Sequence, residues 1–130
     1  MKTSSAKAKG RRLQQWVMEQ IADMLNMECG PDKLIASREM GQSGTDVRLI
    51  DKALKMFPFS VECKNQEKWS VHKWIEQAKS NQEEGTDWII FASRNRQKPV
   101  IIMDADRFLD LYDYALSLTA EDDLEEGFYF

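Results

Sequence analysis

The chain has 130 residues, of which 42% are hydrophobic and 31% are charged, and its net charge is −4. This length suits one compact domain, and this hydrophobic content excludes a disordered chain. No apolar run approaches the roughly 18 residues that span a bilayer, and residues 1–12 lack a hydrophobic signal segment, so we expect a soluble cytoplasmic protein with no membrane partner.

The charge is distributed unevenly along the chain. Residues 104–130 carry nine acids and one base, whereas the other 103 residues carry 13 acids and 17 bases. The mildly basic body is compatible with a polyanionic partner. The two cysteines, Cys29 and Cys63, do not form a disulfide framework and indicate a reducing compartment.

The first third of the chain predicts a helix followed by a strand. Residues 1–9 are predicted to be a flexible basic arm. Apolar residues recur at helical spacing over 10–27, and the Gly-Pro pair within 29–32 ends the helix. Residues 34–37 predict a short strand, and 40–45, with two glycines, predict a turn.

The middle of the chain predicts two strands and a helix. Residues 46–50 alternate like a half-buried strand, and 57–63 form the next one, with Pro58 near its start. Ser70 is a candidate N-cap for a helix that runs to about residue 84 and ends at Gly85.

The last third predicts two strands, a helix and a tail. Residues 88–92 and 100–103 are apolar without interruption, which predicts a sheet covered on both faces. Residues 106–118 predict the last helix, and 119–130 form an acidic tail with an aromatic end. The order predicts an α/β (α+β) fold, with a central mixed sheet flanked by helices, in one domain over 10–118.

Three charged residues form a candidate catalytic group. Glu62 and Lys64 lie two residues apart on one strand, so both point to the same face. Asp46 starts the neighbouring strand, where its carboxylate can share a divalent cation with that of Glu62. Mg²⁺ needs only one or two carboxylates plus a substrate phosphate, and the backbone carbonyl of Cys63 would complete the protein ligands. Lys64 would orient a water, so the pattern predicts phosphodiester hydrolysis; the alternative is a surface salt-bridge group.

The segment Gly44-Thr45-Asp46 followed by Val61-Glu62-Cys63-Lys64 resembles the PD-(D/E)xK nuclease superfamily. Over the longer stretches 37–49 and 57–65, the chain resembles small phage-encoded nucleases that are similar to archaeal Holliday-junction resolvases. Thr45 stands where the superfamily's name has proline. The resemblance implies a restriction-endonuclease-like fold, Asp46 and Glu62 as metal ligands, Lys64 as a catalytic residue, and Mg²⁺ as cofactor, with Mn²⁺ able to substitute. It also implies a phage protein that acts inside a bacterial host.

The superfamily often adds an acidic or amide residue from the first helix. At about 100° per residue, Glu19 lies roughly 200° from Val17, opposite the apolar stripe, whereas Gln14 lies roughly 60° from the stripe's centre. Gln14 is therefore the favoured candidate. Related nucleases often place a glutamine on the helix after the motif, which makes Gln77 a candidate catalytic residue; a partly buried amide bonded to backbone is an equal alternative.

Basic and polar side chains near the motif are candidates for contacting DNA phosphates. They are Arg11, Arg12, Arg38, Ser43, Lys68 and Lys73. Trp69 and Trp74 beside the lysines can stack on exposed bases. The alternative is that Trp74 belongs to the core, Trp69 is a helix staple and the lysines are solvated.

These observations predict a Mg²⁺-dependent endodeoxyribonuclease that resolves branched DNA such as Holliday junctions. By analogy we expect a homodimer, whose two sites would match the symmetric cleavage points of a junction. The alternatives are a nicking or flap nuclease of phage replication or repair, and a non-catalytic DNA-binding module with a nuclease-like fold. The acidic tail can repel the wrong DNA, dock on a replication or recombination protein, or pack on its own domain or on a dimer mate.

Overall fold

A five-stranded mixed sheet carries four helices in the computed structural model, which describes residues 3–39 and 44–119. The elements are, in order, α1 (Thr3–Leu25), β1 (Ile35–Ser37), β2 (Val47–Leu49), α2 (Asp51–Met56), β3 (Phe59–Asn65), α3 (Val71–Ser80), β4 (Asp87–Ser93), β5 (Val100–Ile102) and α4 (Ala105–Ser117). The predicted mixed sheet with flanking helices is confirmed. None of the described helices is long and apolar enough to cross a membrane.

The strands lie in the order β1-β2-β3-β4-β5, with β3 in the centre. β3 and β4 are parallel, and their register runs from the Phe59–Asp87 pair to the Asn65–Ser93 pair. Helix α3 makes the crossover that a parallel pair requires. The other three pairs are antiparallel. The carboxyl ends of the two longest strands therefore meet at one end of the sheet.

Alternation along the strands divides the interior into two cores. The larger core joins the apolar stripe of α1 to one face of the sheet and includes Leu13, Val17, Ile21, Val47, Phe59, Val61 and Ile89. The smaller core joins α3 to the opposite face and contains Trp74, Ala78, Trp88, Ile90 and Ala92. Consecutive residues of β3 thus belong to different sides of the sheet.

Several predicted boundaries are wrong. Helix α1 begins at Thr3 and not at residue 10, so residues 3–9 of the expected arm are helical. Helix α3 ends at Ser80 and not near residue 84, and Ser70 occupies the N-cap position without a side-chain cap hydrogen bond. The six-residue helix α2 was not predicted; its first residue is Asp51, which has a φ of 50°.

The prediction of a sheet covered on both faces is wrong at β5. Val100 and Ile101 are 48% and 52% exposed, and no residue of α4 is buried. Residues 40–43 and 120–130 lie outside the described residues, and with them lie Ser43, a predicted DNA contact, and all of the predicted tail except Thr119.

The smaller core offers a test of the packing. Ile90 is fully buried among aromatic and small neighbours, and Ile90→Ala should lower the free energy of unfolding by about 3 kcal/mol, because it removes buried methyl groups and leaves a cavity. Urea denaturation measures the change. Met56→Ala, at a half-exposed position, is the control and should stay within about 0.5 kcal/mol. A loss below about 1 kcal/mol for Ile90→Ala would contradict this packing.

Candidate active site

Asp46 is fixed against β3 by two hydrogen bonds. Its backbone N–H donates to the carbonyl oxygen of Val61 at 2.9 Å, and its Oδ2 accepts the backbone N–H of Cys63 at 2.8 Å. Because Val47 pairs with Val61 in an antiparallel register, Asp46 lies opposite Glu62. The two carboxyl groups therefore converge on one face of the sheet, as the sequence predicted.

The segment before Asp46 depends on a glycine. Gly44 has a φ of 101°, and a Cβ atom there would lie 3.2 Å from Cζ of Arg38. The Arg38 side chain packs against this glycine, and its Nε donates to the carbonyl oxygen of Thr45. The left-handed backbone and the close guanidinium group both exclude a larger side chain. Arg38 is thus committed to holding the segment that delivers Asp46.

Glu62 is buried, with only 2% of its surface exposed. Burial raises the pKa of its carboxyl group to about 7, and the neighbouring Asp46 carboxylate adds to the increase. A hydrogen bond from Nδ2 of Asn81 to Oε1, at 2.9 Å, and the charge of Lys64 act in the opposite direction. An acid in this environment binds a proton or a cation readily, because either relieves the repulsion.

Lys64 lies on the same face as Glu62, and its ammonium group is held by α3. Its Nζ donates to Oε1 of Gln77 at 2.6 Å. Gln77 is exposed, and its side chain bonds Lys64, so the alternative of a partly buried amide bonded to backbone is wrong. The structure joins Gln77 to the predicted catalytic group through Lys64.

Asp46 and Lys64 line a cleft of about 210 Å³ that is bounded by α1. Gln14, 5% exposed, lines it together with Asp46 and Lys64, and its Oε1 accepts a hydrogen bond from Ser37 Oγ at 3.0 Å. Glu19 is exposed on the opposite side of α1. Of the two first-helix candidates, only Gln14 reaches the cleft among the described residues.

The first turns of α1 also form part of this cleft. Ala6 and Gly10 line it, and the Lys9 carbonyl oxygen accepts a hydrogen bond from Asn65 Nδ2 at 3.4 Å. These turns continue the face of α1 that carries Gln14. The segment expected to be a free arm is therefore a wall of the site.

Asn81 and Asn65 are site residues that sequence reasoning missed. Asn81 follows the last residue of α3. The helix was predicted to continue to about residue 84, which would make Asn81 an interior helical residue. An asparagine directly after the apolar stripe was the signal that the helix ends there. Asn65 ends β3, and its buried Oδ1 has no hydrogen-bond partner among the described residues. It directly follows the motif, where it carried no recognisable signal.

Cys63 takes part through its backbone. Its side chain packs against the larger core, and burial raises the pKa of its thiol well above the ordinary value. The thiol is therefore neutral and is a poor nucleophile. Its N–H holds Asp46, a role beyond the metal-ligating carbonyl that the sequence suggested.

Four of the candidate DNA-contacting residues are exposed on segments close to the cleft. Arg11 and Arg12 are exposed on α1 just after Gly10, and Lys68 is exposed two residues after Gln66, which lines the cleft. Lys73 is exposed on the first turn of α3. Of the tryptophans beside these lysines, Trp74 is buried in the smaller core, and the half-buried Trp69 packs against that core with its ring centre 5.5 Å from that of Trp74.

The oxygen donors at this site fit a hard divalent cation. Among residues 3–39 and 44–119, no three His, Cys, Asp or Glu side chains form a ligand cluster, so the carboxylates would be those of Asp46 and Glu62 alone. Two converging carboxyl groups, one of them buried, suit an ion such as Mg²⁺, which keeps several waters and needs few protein ligands. The unpartnered Oδ1 of Asn65 is a further oxygen at the same end of β3.

The comparison with protein families agrees with this geometry. The model of the family described as "Phage putative PDDEXK endonuclease" matches residues 6–122, and the chain belongs to this family. The resemblance to phage PD-(D/E)xK nucleases and the restriction-endonuclease-like fold are thereby confirmed. No curated protein and no solved structure matched the chain in the other two comparisons.

The environment of Glu62 predicts a pH effect on stability in the presence of a chelator. Between pH 4.5 and about 7 the folded protein keeps the Glu62 proton and the unfolded chain releases it, so a rise in pH favours unfolding. The free energy of unfolding of wild type, relative to that of Glu62→Gln, should therefore fall by up to about 3 kcal/mol as the pH rises through this interval.

Urea denaturation at a series of pH values measures this difference. Glu76→Gln, at an exposed position on α3, is the matched control for replacing a glutamate by its amide. If the free energy of unfolding of wild type instead rose with pH relative to that of Glu62→Gln, the folded protein would favour the ionised form of Glu62.

Proposed function

We propose that the protein is a divalent-metal-dependent DNA endonuclease that cleaves branched DNA such as Holliday junctions. Mg²⁺ is the proposed cofactor, with Mn²⁺ able to replace it. The observation that supports this best is the convergence of Asp46, Glu62 and Lys64 on one face of the sheet, where Asp46 and Lys64 line a cleft. As a phage protein it would act inside the bacterial host cell.

Asp46, Glu62 and the Cys63 carbonyl would hold the cation. When bound, it would neutralise charge on the scissile phosphate and lower the pKa of a water molecule. Asp46 is already oriented by the Cys63 N–H, and Glu62 by the Asn81 amide. This pre-orientation reduces the rearrangement needed when substrate arrives.

Lys64 would orient the attacking water. Its Nζ is anchored by Gln77, which limits the positions that the ammonium group can take. A fixed positive charge beside the cleft stabilises negative charge that develops on the water and on the phosphate. Gln77 is a positioning residue in this scheme.

The basic residues around the cleft would hold the DNA backbone. Arg11 and Arg12 project from the α1 wall, Lys68 from the segment that leads into α3, and Lys73 from the first turn of α3. Cations on two sides of the site would attract phosphates from both directions. Arg38 contributes to shaping the site, since its guanidinium already binds the Thr45 carbonyl.

Branched substrates and a homodimer form the finer part of the proposal. A four-way junction presents symmetric cleavage points, which two sites related by a two-fold axis would match. The basic body of the chain, with its 17 bases and 13 acids outside residues 104–130, suits a large polyanion.

Asp46→Asn and Lys64→Met should each reduce cleavage about 1,000-fold, equivalent to roughly 4 kcal/mol of barrier. Glu76→Gln is the control and should leave the rate unchanged. The assay uses labelled four-way junctions, flaps and linear duplexes with Mg²⁺, Mn²⁺ or a chelator.

The outcomes of this assay separate the candidates. Absence of metal-dependent cleavage of every substrate would leave a DNA-binding module. Preference for flaps or single nicks would indicate a nuclease of replication or repair, and equal cleavage of linear duplex would rule out the resolvase.

Replacing Arg11 and Arg12 together by glutamine should weaken binding to every DNA substrate. Loss of two phosphate contacts should reduce the slope of log K against log salt by about 2. Fluorescence anisotropy at several salt concentrations measures it. Lys52 and Lys55, exposed on α2 ahead of β3, supply the control pair; an equal effect of their replacement would show that only net charge matters.

A further inference from the structure

Two arginines lie on the face of the β1–β2 hairpin that also carries Asp46. In β2, Val47 and Leu49 are buried in the larger core, so alternation directs Arg48 to the opposite face, together with Asp46. The backbone N–H of Arg38 donates to the carbonyl oxygen of Asp46 at 2.8 Å, which continues the β1–β2 register by one residue. Both guanidinium groups therefore belong to the side of the sheet on which the carboxyl groups of the site converge.

The β2–β3 register gives the position of Arg48 relative to these carboxyl groups. Asp46 lies opposite Glu62, and Arg48 lies opposite the residue two places earlier in β3. Along β2, Arg48 is two residues, or about 7 Å, from Asp46. Lys64 is two residues from Glu62 in the other direction, toward the carboxyl end of β3. The two carboxyl groups therefore lie between a lysine on one side and an arginine on the other.

The two arginines line a cleft of about 200 Å³ that shares no lining residue with the cleft bounded by α1. The complete lining is Pro31, Ala36, Ser37, Arg38, Glu39 and Arg48. Helix α3 packs on β3 and β4, and neither core includes Ala36 or Arg48. Within the part of the chain that the structure describes, this face of the hairpin is therefore available to a ligand.

The positive charge of this cleft is not neutralised by ion pairs. Among residues 3–39 and 44–119, neither guanidinium group forms an ion pair with a carboxylate. Glu39 is the one acid among the residues that line the cleft, and it is exposed. Arg38 and Arg48 are both half-buried. Because a partly buried cation is normally paired, the cleft favours the binding of an anion.

Arg48 is held in position before any ligand arrives. Its Nη2 donates to the carbonyl oxygen of Lys33 at 3.0 Å. A guanidinium group has five N–H donors, so this bond leaves most of them for a ligand. Arg38 uses its Nε on the Thr45 carbonyl oxygen and adds positive charge to the same cleft. A planar guanidinium group can bind two oxygens of one phosphate, which makes a phosphate group the anion that fits best.

We infer that Arg48 binds a backbone phosphate of the DNA next to the scissile phosphate, on the side of Asp46 and Glu62 that lies away from Lys64. A DNA strand that crosses the two carboxyl groups would meet Lys64 on one side and the hairpin cleft on the other. Arg48 is a substrate-binding residue in this scheme and takes no part in activating water. The inference deepens the proposed function and rests on it for the position of the scissile phosphate.

Fluorescence anisotropy with a labelled four-way junction and a linear duplex, in EDTA so that neither is cut, tests this contact. Arg48→Gln should weaken binding to both about 10-fold and reduce the slope of log K against log salt by about 1, because one phosphate contact is lost. Lys55→Gln is the control, since it removes the same charge from α2, at the opposite end of β2 from Asp46. Its affinity should stay within about 2-fold of wild type.

Phosphate ethylation interference identifies the contact itself. Ethylation of the phosphate bound by Arg48 should weaken the binding of wild type and have no effect on Arg48→Gln, and this phosphate should neighbour the cleavage position. Arg48→Lys should lie between the two, because it keeps the charge and loses the two-point contact.

Two results would overturn the inference. The first is an identical ethylation pattern for wild type and Arg48→Gln. The second is an affinity of Arg48→Gln for DNA equal to or above that of wild type, which is the result expected if the five acids of segment 121–126 occupy the cleft.

Measurements of folding separate phosphate binding from a structural role. Arg48 also ties β2 to the Lys33 carbonyl oxygen, so urea denaturation of each variant accompanies the binding assay. A structural role alone predicts lower stability with the ethylation pattern of wild type. If circular dichroism shows that Arg48→Gln is unfolded, Arg48→Lys replaces it, and ethylation of the contacted phosphate should then cost less affinity than it costs wild type. Equal costs would overturn the inference.

The phosphate contact and the nuclease activity fail separately. Asp46→Asn should keep the ethylation pattern of wild type while losing cleavage. A wild type that binds DNA through Arg48 and cleaves no substrate would reject the proposed function and leave the phosphate site. A wild type that cleaves DNA, but shares its ethylation pattern with Arg48→Gln, would reject the phosphate site alone.

Discussion

The pairing of β2 with β3 determines the geometry of the whole site. The Val47–Val61 pair sets the register that brings Asp46 opposite Glu62, and the Cys63 N–H then fixes the Asp46 side chain by a hydrogen bond. A slip of one residue would turn Asp46 to the other face of the sheet. The short β2 is held by β1 on its far side, so the hairpin of β1 and β2 serves to present one carboxylate.

The site is assembled at a cost to stability. Glu62 lies in the interior, where apolar residues occupy the equivalent positions of the adjoining strand, such as Ile90. Its charged form is disfavoured by burial and by Asp46, and Asn81 offsets only part of this. A cation bound between the two carboxyl groups would remove the repulsion, which links folding stability to the occupancy of the site.

The sequence predicts the elements that carry strong periodicity or a motif. The strands around Asp46 and Glu62, the stripe of α1 and the same-face placement of Lys64 all follow from spacing. The start of α1 was missed because Gly10 and the basic residues before it look like a linker. Their own sequence does not show that they pack beside the carboxyl end of β3. Asn81 was missed because its role depends on the length of α3, which is fixed by the crossover to β4. The exposure of Val100 was missed for a related reason, since an uninterrupted apolar strand predicts a covered sheet whether or not the rest of the chain covers it.

The molecule has two ends with opposite properties. The carboxyl end of β3 collects the carboxylates, Lys64 and the basic turns of α1, whereas the other end carries α4 with its acids and its excess of apolar surface. Repulsion between DNA and α4 and attraction to α1 both orient a polyanion toward the cleft.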